Sequence, residues 1–416
     1  MTSPAAQRLG MLSSQLSSPS LSGRERVLAK NPDDIVITTA IRTPLTKARK
    51  GGLKDTPVDA LLTSLLTSIR ERMNFPASHV DDVCVGNVLQ PAPGFAARSA
   101  VLAAGFPVGT SANVASRFCS SGLLAIQNVA TAIMAGAIDV GIAVGIESMS
   151  QNADKPPPMS DVVSNHPIAR DNVMPMGWTS ENVARDFGIS RAMQDAYAEM
   201  SHNRAERAQR EGWSADEIVP VRTSIKDAKT GETREVTVER DDGIRPGTTK
   251  EGLGKIKSAF PQWQPATTTG GNASQITDGA AGVVLMRRSK AEELGVPVLG
   301  KYVLSTTVGL EPRIMGIGPS FAIPRILERT GLTKDEVDLF EINEAFASMY
   351  VYCVEKLGLD KEKVNVRGGA IAIGHPLGCT GARQVVTALS ELRRRGQKVA
   401  VTSMCVGTGM GELQTD

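Results

Sequence analysis

The sequence predicts an α/β protein built from two copies of one unit, with an irregular lobe inserted in the first copy. Three observations carry this. Short buried-strand runs alternate with helical runs from Asp33 onward, the pattern of a mostly parallel sheet covered by helices. The rhythm breaks at about Gln151 and resumes after about Pro265. Finally, Val80-Asp-Asp-Val-Cys-Val-Gly-Asn87 parallels Glu336-Val-Asp-Leu-Phe-Glu-Ile-Asn343, and thirty-two positions separate Asn87 from Cys119 as they separate Asn343 from His375. Both endpoints precede small, glycine-containing turns and long helical runs. Two such units packed face to face bring Cys119 and His375 close to a pseudo-twofold axis.

The elements follow in order. Asp34 to Ala40 reads as a buried strand, and Val58 to Met73 as an amphipathic helix entered after Pro57. Asp82 to Val88 is a second strand, and Arg98 to Ala104 starts another helix. A strand precedes Cys119, a long helix follows it, and Val140 to Val144 is the next strand. The lobe holds helices at Thr179 to Asp186 and Arg191 to Arg210 among long polar loops, entered through Lys155-Pro-Pro-Pro-Met159, a stiff linker. Its later part carries many cations with acids interleaved, which suits either a solvated face or a phosphate-bearing ligand. Gly282 to Met286 and Lys301 to Val308 read as strands again.

Composition excludes several classes. A chain of 416 residues is long enough for two or three domains, and a net charge of +2 argues against a nucleic-acid or membrane binder. Five cysteines without a CxxC pair and four scattered histidines argue against a metal framework or a disulfide scaffold. The sequon at Asn272 to Ser274 is discounted, because no secretory signal is expected. The apolar stretch from Leu123 to Ile146 is interrupted by Gln127, Asn128 and Asp139, so it reads as helix, turn and strand and not as a membrane span.

Four segments carry candidate chemistry. Asn113 to Gly122 places Cys119 where a strand turns into a helix. The positive end of that helix favours a thiolate, and Ser120 and Ser121 can cap its free N–H groups. Asn343-Glu-Ala-Phe346 offers an amide at a strand end. Gly368 to Gly381 is a glycine-rich loop with His375 at a helix start. Met404-Cys405-Val-Gly-Thr-Gly-Met-Gly411 offers a second cysteine where the backbone can approach closely. Taken singly, each has an inert reading: a core cysteine, a satisfied histidine, a helix cap.

Together these segments resemble the thiolase family, in particular 3-ketoacyl-CoA thiolases of peroxisomal type. The resemblance runs from Asp33 to the C-terminus and includes Met176-Gly-Trp-Thr-Ser-Glu-Asn182, Asp241-Asp-Gly-Ile-Arg245, Gly271-Asn-Ala-Ser274 and Pro312-Arg-Ile-Met-Gly-Ile-Gly-Pro319. One departure is Phe118, where the family commonly has Gln. The resemblance implies a thiolase-like five-layer α-β-α-β-α fold from two duplicated halves with an inserted loop domain. The expected division is a targeting arm at 1–30, an N-terminal half at 31–152 plus 266–298, a CoA-binding loop domain at 153–265 and a C-terminal half at 299–416. It implies Cys119 as nucleophile, His375 and an Asn343-held water as the enolate oxyanion hole, and backbone N–H groups of Cys119 and Gly407 as a second hole. Cys405 is expected to protonate the enolate with a thiol pKa near neutral. Arg245 and Ser274 are the expected CoA contacts.

The implied reaction is thiolytic cleavage of 3-ketoacyl-CoA in fatty-acid β-oxidation, with CoA as co-substrate, no permanent cofactor and no metal. Acetoacetyl-CoA synthesis, a ketoacyl synthase and a silent acyl-CoA carrier on the same fold are the rivals; Cys405 speaks against the second, and the full set of four residues against the third. A homodimer is expected. Residues 1–30 are Ser-rich and basic, and Arg8-Leu9-x5-Gln15-Leu16 resembles the N-terminal peroxisomal targeting nonapeptide. As a helix it would present Leu9, Leu12 and Leu16 to an import receptor; a mitochondrial presequence is the alternative.

Overall fold

A computed structural model describes residues 21–152, 158–227 and 229–415. The fold begins earlier than the sequence suggests. Gly23–Leu28 forms a short helix, α1, closed at its start by a reciprocal Ser22–Glu25 capping box. Val27 is buried in the C-terminal core, and Arg24 pairs with Asp338 at 2.8 Å. This part of the expected arm is therefore anchored to the body; Arg26 adds a bond to the Thr330 carbonyl at 3.3 Å, and Gly23 lies against the Gly331 backbone. Arg8, Leu9, Gln15 and Leu16 lie outside the described residues.

The first half contains β1 (Ile35–Arg42), β2 (Thr46–Lys47), α2 (Val58–Arg72), β3 (Asp82–Gly86), α3 (Pro93–Ala103), β4 (Ser111–Ala115), α4 (Ser121–Met134) and β5 (Val140–Ser148). The lobe contributes α5 (Met176–Phe187), α6 (Arg191–Arg210) and a hairpin of β6 (Val221–Lys226) and β7 (Thr233–Val238), where the sequence suggests only polar loops. Then come β8 (Thr277–Arg287), β9 (Gly300–Tyr302), β10 (Leu304–Gly309), α7 (Pro319–Thr330), β11 (Leu339–Ile342), α8 (Ala347–Leu357), α9 (Thr380–Arg395), β12 (Ala400–Val406) and β13 (Met410–Thr415).

Two sheets result. The first runs β4-β3-β5-β8-β1-β9, with β2 also on β8; the second runs β10-β13-β12-β11. The expectation of mostly parallel sheets is corrected. Only β3–β4, β3–β5 and β11–β12 pair in parallel; β8, β1, β9, β10 and β13 all pair antiparallel. The cause is connection length. Parallel neighbours need a crossover, and α3, α4 and α9 supply them. β12 and β13 are joined by a tight turn, and β8 returns from the lobe in the opposite sense. The single strand expected at Lys301 to Val308 is two: β9 edges the first sheet and β10 the second, so the chain passes between halves at Val303.

Side chains alternate across the first sheet. Val36, Val144 and Val284 face a core with Leu61, Leu65 and Val101 of α2 and α3. Ile37, Ala143 and Val283 face one with Leu123 and Ile126 of α4 and Val385 and Leu389 of α9. On the second sheet, Ala400 and Leu339 share a core with Ala388 and Leu392 of α9. Its opposite face packs on α7 and α8 through Ile323, Ile326, Tyr350 and Val354. The order is helices, sheet, helices, sheet, helices.

The middle layer sets the site. A Cβ on Gly122 would lie 2.6 Å from the Ala382 amide nitrogen, and one on Gly381 would lie 2.6 Å from that of Leu123. The first turns of α4 and α9 thus touch backbone to backbone. Gly122→Ala puts a methyl group against atoms that cannot rotate away, so it should destabilise the protein by about 1–3 kcal/mol. A lowered urea midpoint checks this; an unchanged midpoint would contradict the contact.

Candidate active site

Three elements end at one place in the second half. Asn343 directly follows β11, Cys405 is the penultimate residue of β12, and His375 sits in the loop leading into α9. All three are buried. Asn343 Nδ2 lies 3.3 Å from His375 Nε2 and 3.6 Å from Cys405 Sγ. Asn343 Oδ1 has no hydrogen-bond partner among the described residues, leaving an acceptor for a water or a ligand. Gly374, at φ +101°, lets the chain turn directly before the histidine, where a Cβ would strike Thr277.

The hydrogen bonds assign the imidazole. Thr380 Oγ1 is 3.2 Å from the Pro376 carbonyl, to which it can only donate. It is also 2.6 Å from His375 Nδ1; with the hydroxyl hydrogen on the carbonyl, Nδ1 carries the ring hydrogen and Thr380 accepts it. Nε2 then offers a lone pair to Asn343 Nδ2 and to the cleft. The enolate-donor role expected of His375 therefore requires Nε2 first to receive a proton. Burial, reinforced by Arg383, pushes the imidazole down to about 3, so it is neutral at physiological pH.

Burial also pushes the Cys405 thiol up to about 11, despite the Asn343 bond that favours its thiolate. This corrects the expectation of a near-neutral thiol. Cys405 is a held proton, a good donor to a carbanion and a strong base once spent. Cys84 and Cys379 are pushed up to about 12 by burial, and Cys353 is raised as well.

Cys119 comes from the first half. It lies two residues before α4 and shares a buried cluster with Met404 and Val406, which flank Cys405, and with Ile373, two residues before His375. The serines after it do not cap the helix. Ser120 donates to Glu412, and Ser121 Oγ accepts from the Arg117 amide at 2.9 Å and donates to the Phe118 carbonyl at 2.6 Å. They brace the nucleophile loop instead. Arg117 ties that loop to the second sheet through Glu412 at 2.8 Å and Thr307 at 3.0 Å. Phe118 is left-handed at φ +46° and 43% exposed. Its ring lies beside Gly407, where an added Cβ would meet it at 3.6 Å.

Comparison with known proteins settles the family. Residues 35–289 match the model of the thiolase N-terminal domain, and residues 296–414 that of the thiolase C-terminal domain. The chain belongs to the thiolase family. It is 50% identical over 407 residues to a peroxisomal 3-ketoacyl-CoA thiolase of Yarrowia lipolytica, covering 97% of this chain and 98% of the relative. It is 50% identical over 396 residues to the human peroxisomal enzyme, covering 94% and 92%. Among solved structures, the dimeric peroxisomal thiolase of Saccharomyces cerevisiae superimposes with a TM-score of 0.86 at 45% identity, covering 94% of this chain and 98% of that one. Human mitochondrial 3-ketoacyl-CoA thiolase in complex with CoA gives 0.82 at 34%, covering 92% and 98%. The five-layered α-β-α-β-α architecture is the one found here.

The remaining thiolase motifs surround this centre. Ser274 N donates to the Ala345 carbonyl at 2.9 Å, which lays Gly271 to Ser274 against Asn343 to Phe346. Arg245 is half-buried at the lobe's edge, donating to the Gly270 carbonyl at 3.1 Å. Thr380, Arg117 and Glu412 were not singled out from the sequence, because nothing in their spacing marks them. Among the described residues, no group of three His, Cys, Asp or Glu is placed to hold a metal ion, and no helix is long and apolar enough to cross a membrane.

Two buried histidines set an acid limit. Among the described residues neither ring nitrogen of His202, on α6, has a hydrogen-bond partner, and burial beside Arg245 and Lys47 pushes it down to about 4. Both His202 and His375 are neutral in the fold but take up a proton when unfolded below about pH 6.5. Stability is therefore fully present above pH 6.5 and falls as the pH drops towards 4. Melting scans from pH 7 to 5 should show this fall, and His202→Gln should make it shallower; an equal slope would contradict the assignment.

Proposed function

We propose that this thiolase cleaves 3-ketoacyl-CoA with CoA, releasing acetyl-CoA and an acyl-CoA two carbons shorter, as an enzyme of fatty-acid β-oxidation. The observation that carries this is the meeting of Asn343, His375 and Cys405 within 3.3 and 3.6 Å, beside a helix start bearing Cys119. The peroxisomal relatives bear the same name along nearly their whole length.

The proposed steps keep every proton in view. Cys119 passes its proton to His375 Nε2 and attacks the 3-keto carbon. The Cα–Cβ bond breaks, leaving an acyl thioester on Cys119 and the enolate of acetyl-CoA. The new Nε2–H, with a water on Asn343, faces the enolate oxygen; one such donor is typically worth about 3–4 kcal/mol. Cys405 gives its proton to the enolate carbon. The buried imidazolium then restores the Cys405 proton, a transfer favoured by the opposite shifts of the two groups. CoA then passes its thiol proton to the neutral His375 Nε2 and attacks the acyl thioester, and the departing Cys119 thiolate takes that proton back, restoring the resting enzyme. The backbone N–H groups of Cys119 and Gly407 would hold the acyl oxygen.

CoA is assigned as co-substrate, lying across the lobe of 153–265 with Arg245 and Ser274 as contacts. The two halves, 31–152 with 266–298 and 299–416, each give one face of the cleft. A homodimer is assigned too: β4 ends its sheet with a free edge, which suits pairing with a second copy. The peroxisome is the proposed compartment. Fusing residues 1–30 to a fluorescent protein should direct it there, and Arg8→Ala should abolish this; a cytosolic or mitochondrial signal that ignores Arg8→Ala would remove the assignment.

Turnover decides the reaction. Wild type should consume 3-ketohexadecanoyl-CoA only when CoA is present, and Cys119→Ser should lose at least about 10³-fold in kcat. Activity confined to acetoacetyl-CoA would instead favour the short-chain reaction, and none with either substrate would favour a silent carrier.

A further inference from the structure

Two buried carboxylates flank the His375 loop, one from each half, and the mechanism uses neither. Glu147 lies on β5. Its Oε1 accepts from Asn87 Nδ2 and Leu89 N, and its Oε2 from Val88 N and Gly378 N, each at 3.1 Å. Glu344 follows Asn343. Its Oε1 accepts from the Tyr197 hydroxyl and from Asn365 Nδ2 at 2.7 Å, and its Oε2 from Ser201 Oγ at 2.7 Å and Ile371 N at 3.1 Å. Both side chains are fully buried. A carboxylate has about four acceptor sites, so each is filled by neutral N–H and O–H donors.

For stability alone this is a poor use of a buried acid: burial pushes the Glu147 carboxyl up to about 7, against the four donors that favour its ionised form. An ionised carboxylate is costly to bury, and apolar groups of equal volume usually serve the fold as well. What the arrangement gives is a single geometry, and the loop atoms it fixes bracket His375. Ile371 N lies four residues before the histidine and Gly378 N three residues after it. Between them, His375 N donates to the Gln275 carbonyl at 2.9 Å, and Gln275 Nε2 donates to the carbonyls of Ile371 and Ala372.

We infer that Glu147 and Glu344 are positioning residues for His375, pinning both ends of its loop so that Nε2 stays aligned with Asn343 and Cys405. This rests on the thiolase reading for what the imidazole does, but not for where it is held. Glu147 is the more telling of the two, because its bond to Gly378 ties the histidine loop to the half that carries Cys119.

Glu147→Gln keeps the volume and replaces one acceptor oxygen with an NH2 group facing two N–H donors. In folded variant, kcat for thiolysis should fall about 10²-fold, as expected for a misplacement near 1 Å, with KM for CoA within about twofold. Imidazole NMR signals, with His375 assigned by His375→Gln, should shift or broaden for His375 and stay put for half-buried His79 and exposed His166. A rise in KM at unchanged kcat, or an unmoved His375 signal, would overturn the inference. Glu344→Gln tests the other end in the same way. Unfolding of both variants would assign the carboxylates to the fold instead. Absence of thiolysis in wild type would remove the proposed reaction and leave the NMR comparison to judge the positioning.

Discussion

The crossing of α4 and α9 at Gly122 and Gly381 is the contact on which the site depends. No other residue type allows two helix starts to meet with backbone against backbone. Each helix is entered directly from a loop carrying a candidate catalytic residue, so the crossing fixes the distance between halves at the point of reaction. It also aims two helix N-termini at one cleft. Their partial positive charges favour the anions the chemistry requires, a thiolate and then an enolate. The outer layers, with their aliphatic cores, act as the clamp that keeps this contact closed.

Burial then sorts the protons. In water, imidazole and thiol differ in acidity by about two units. Inside this cleft, burial drives the histidine down and the cysteine up, so His375 rests neutral and Cys405 rests protonated. A proton placed on His375 is therefore unstable there and moves on readily, while the one on Cys405 is released only to a base as strong as an enolate. Directionality arises chiefly from desolvation, reinforced at His375 by the charge of Arg383.

The sequence made the chemistry legible and the topology only partly so. Cys119, Asn343, His375 and Cys405 stand in recognisable motifs, the spacing from Asn343 to His375 repeats that from Asn87 to Cys119, and Asn343, His375 and Cys405 meet in the fold. Strand direction was less legible, because a buried strand shows the same apolar run whichever way it pairs. The passage at Val303 was hidden for a related reason: β9 and β10 are one continuous run in sequence and belong to two sheets in space. Glu147 and Glu344 were missed because their partners are backbone N–H groups and side chains that only the fold brings together, such as Tyr197, Ser201 and Asn365 around Glu344; Thr380 was missed because a lone threonine at a helix start carries no signal of the imidazole it meets. The docking of α1 rests on Val27 and Arg24, too little pattern to separate from a polar arm.

Where the acyl group rests tests the role of Cys119 most directly. Wild-type protein mixed with 3-ketohexadecanoyl-CoA without CoA, quenched in acid and digested, should release acetyl-CoA and show a tetradecanoyl group on the peptide containing Cys119. Added CoA should then clear it. An acyl group on Cys405 or another residue, or release of acetyl-CoA without any adduct, would contradict the assignment of Cys119 as the nucleophile and the division of labour built on it.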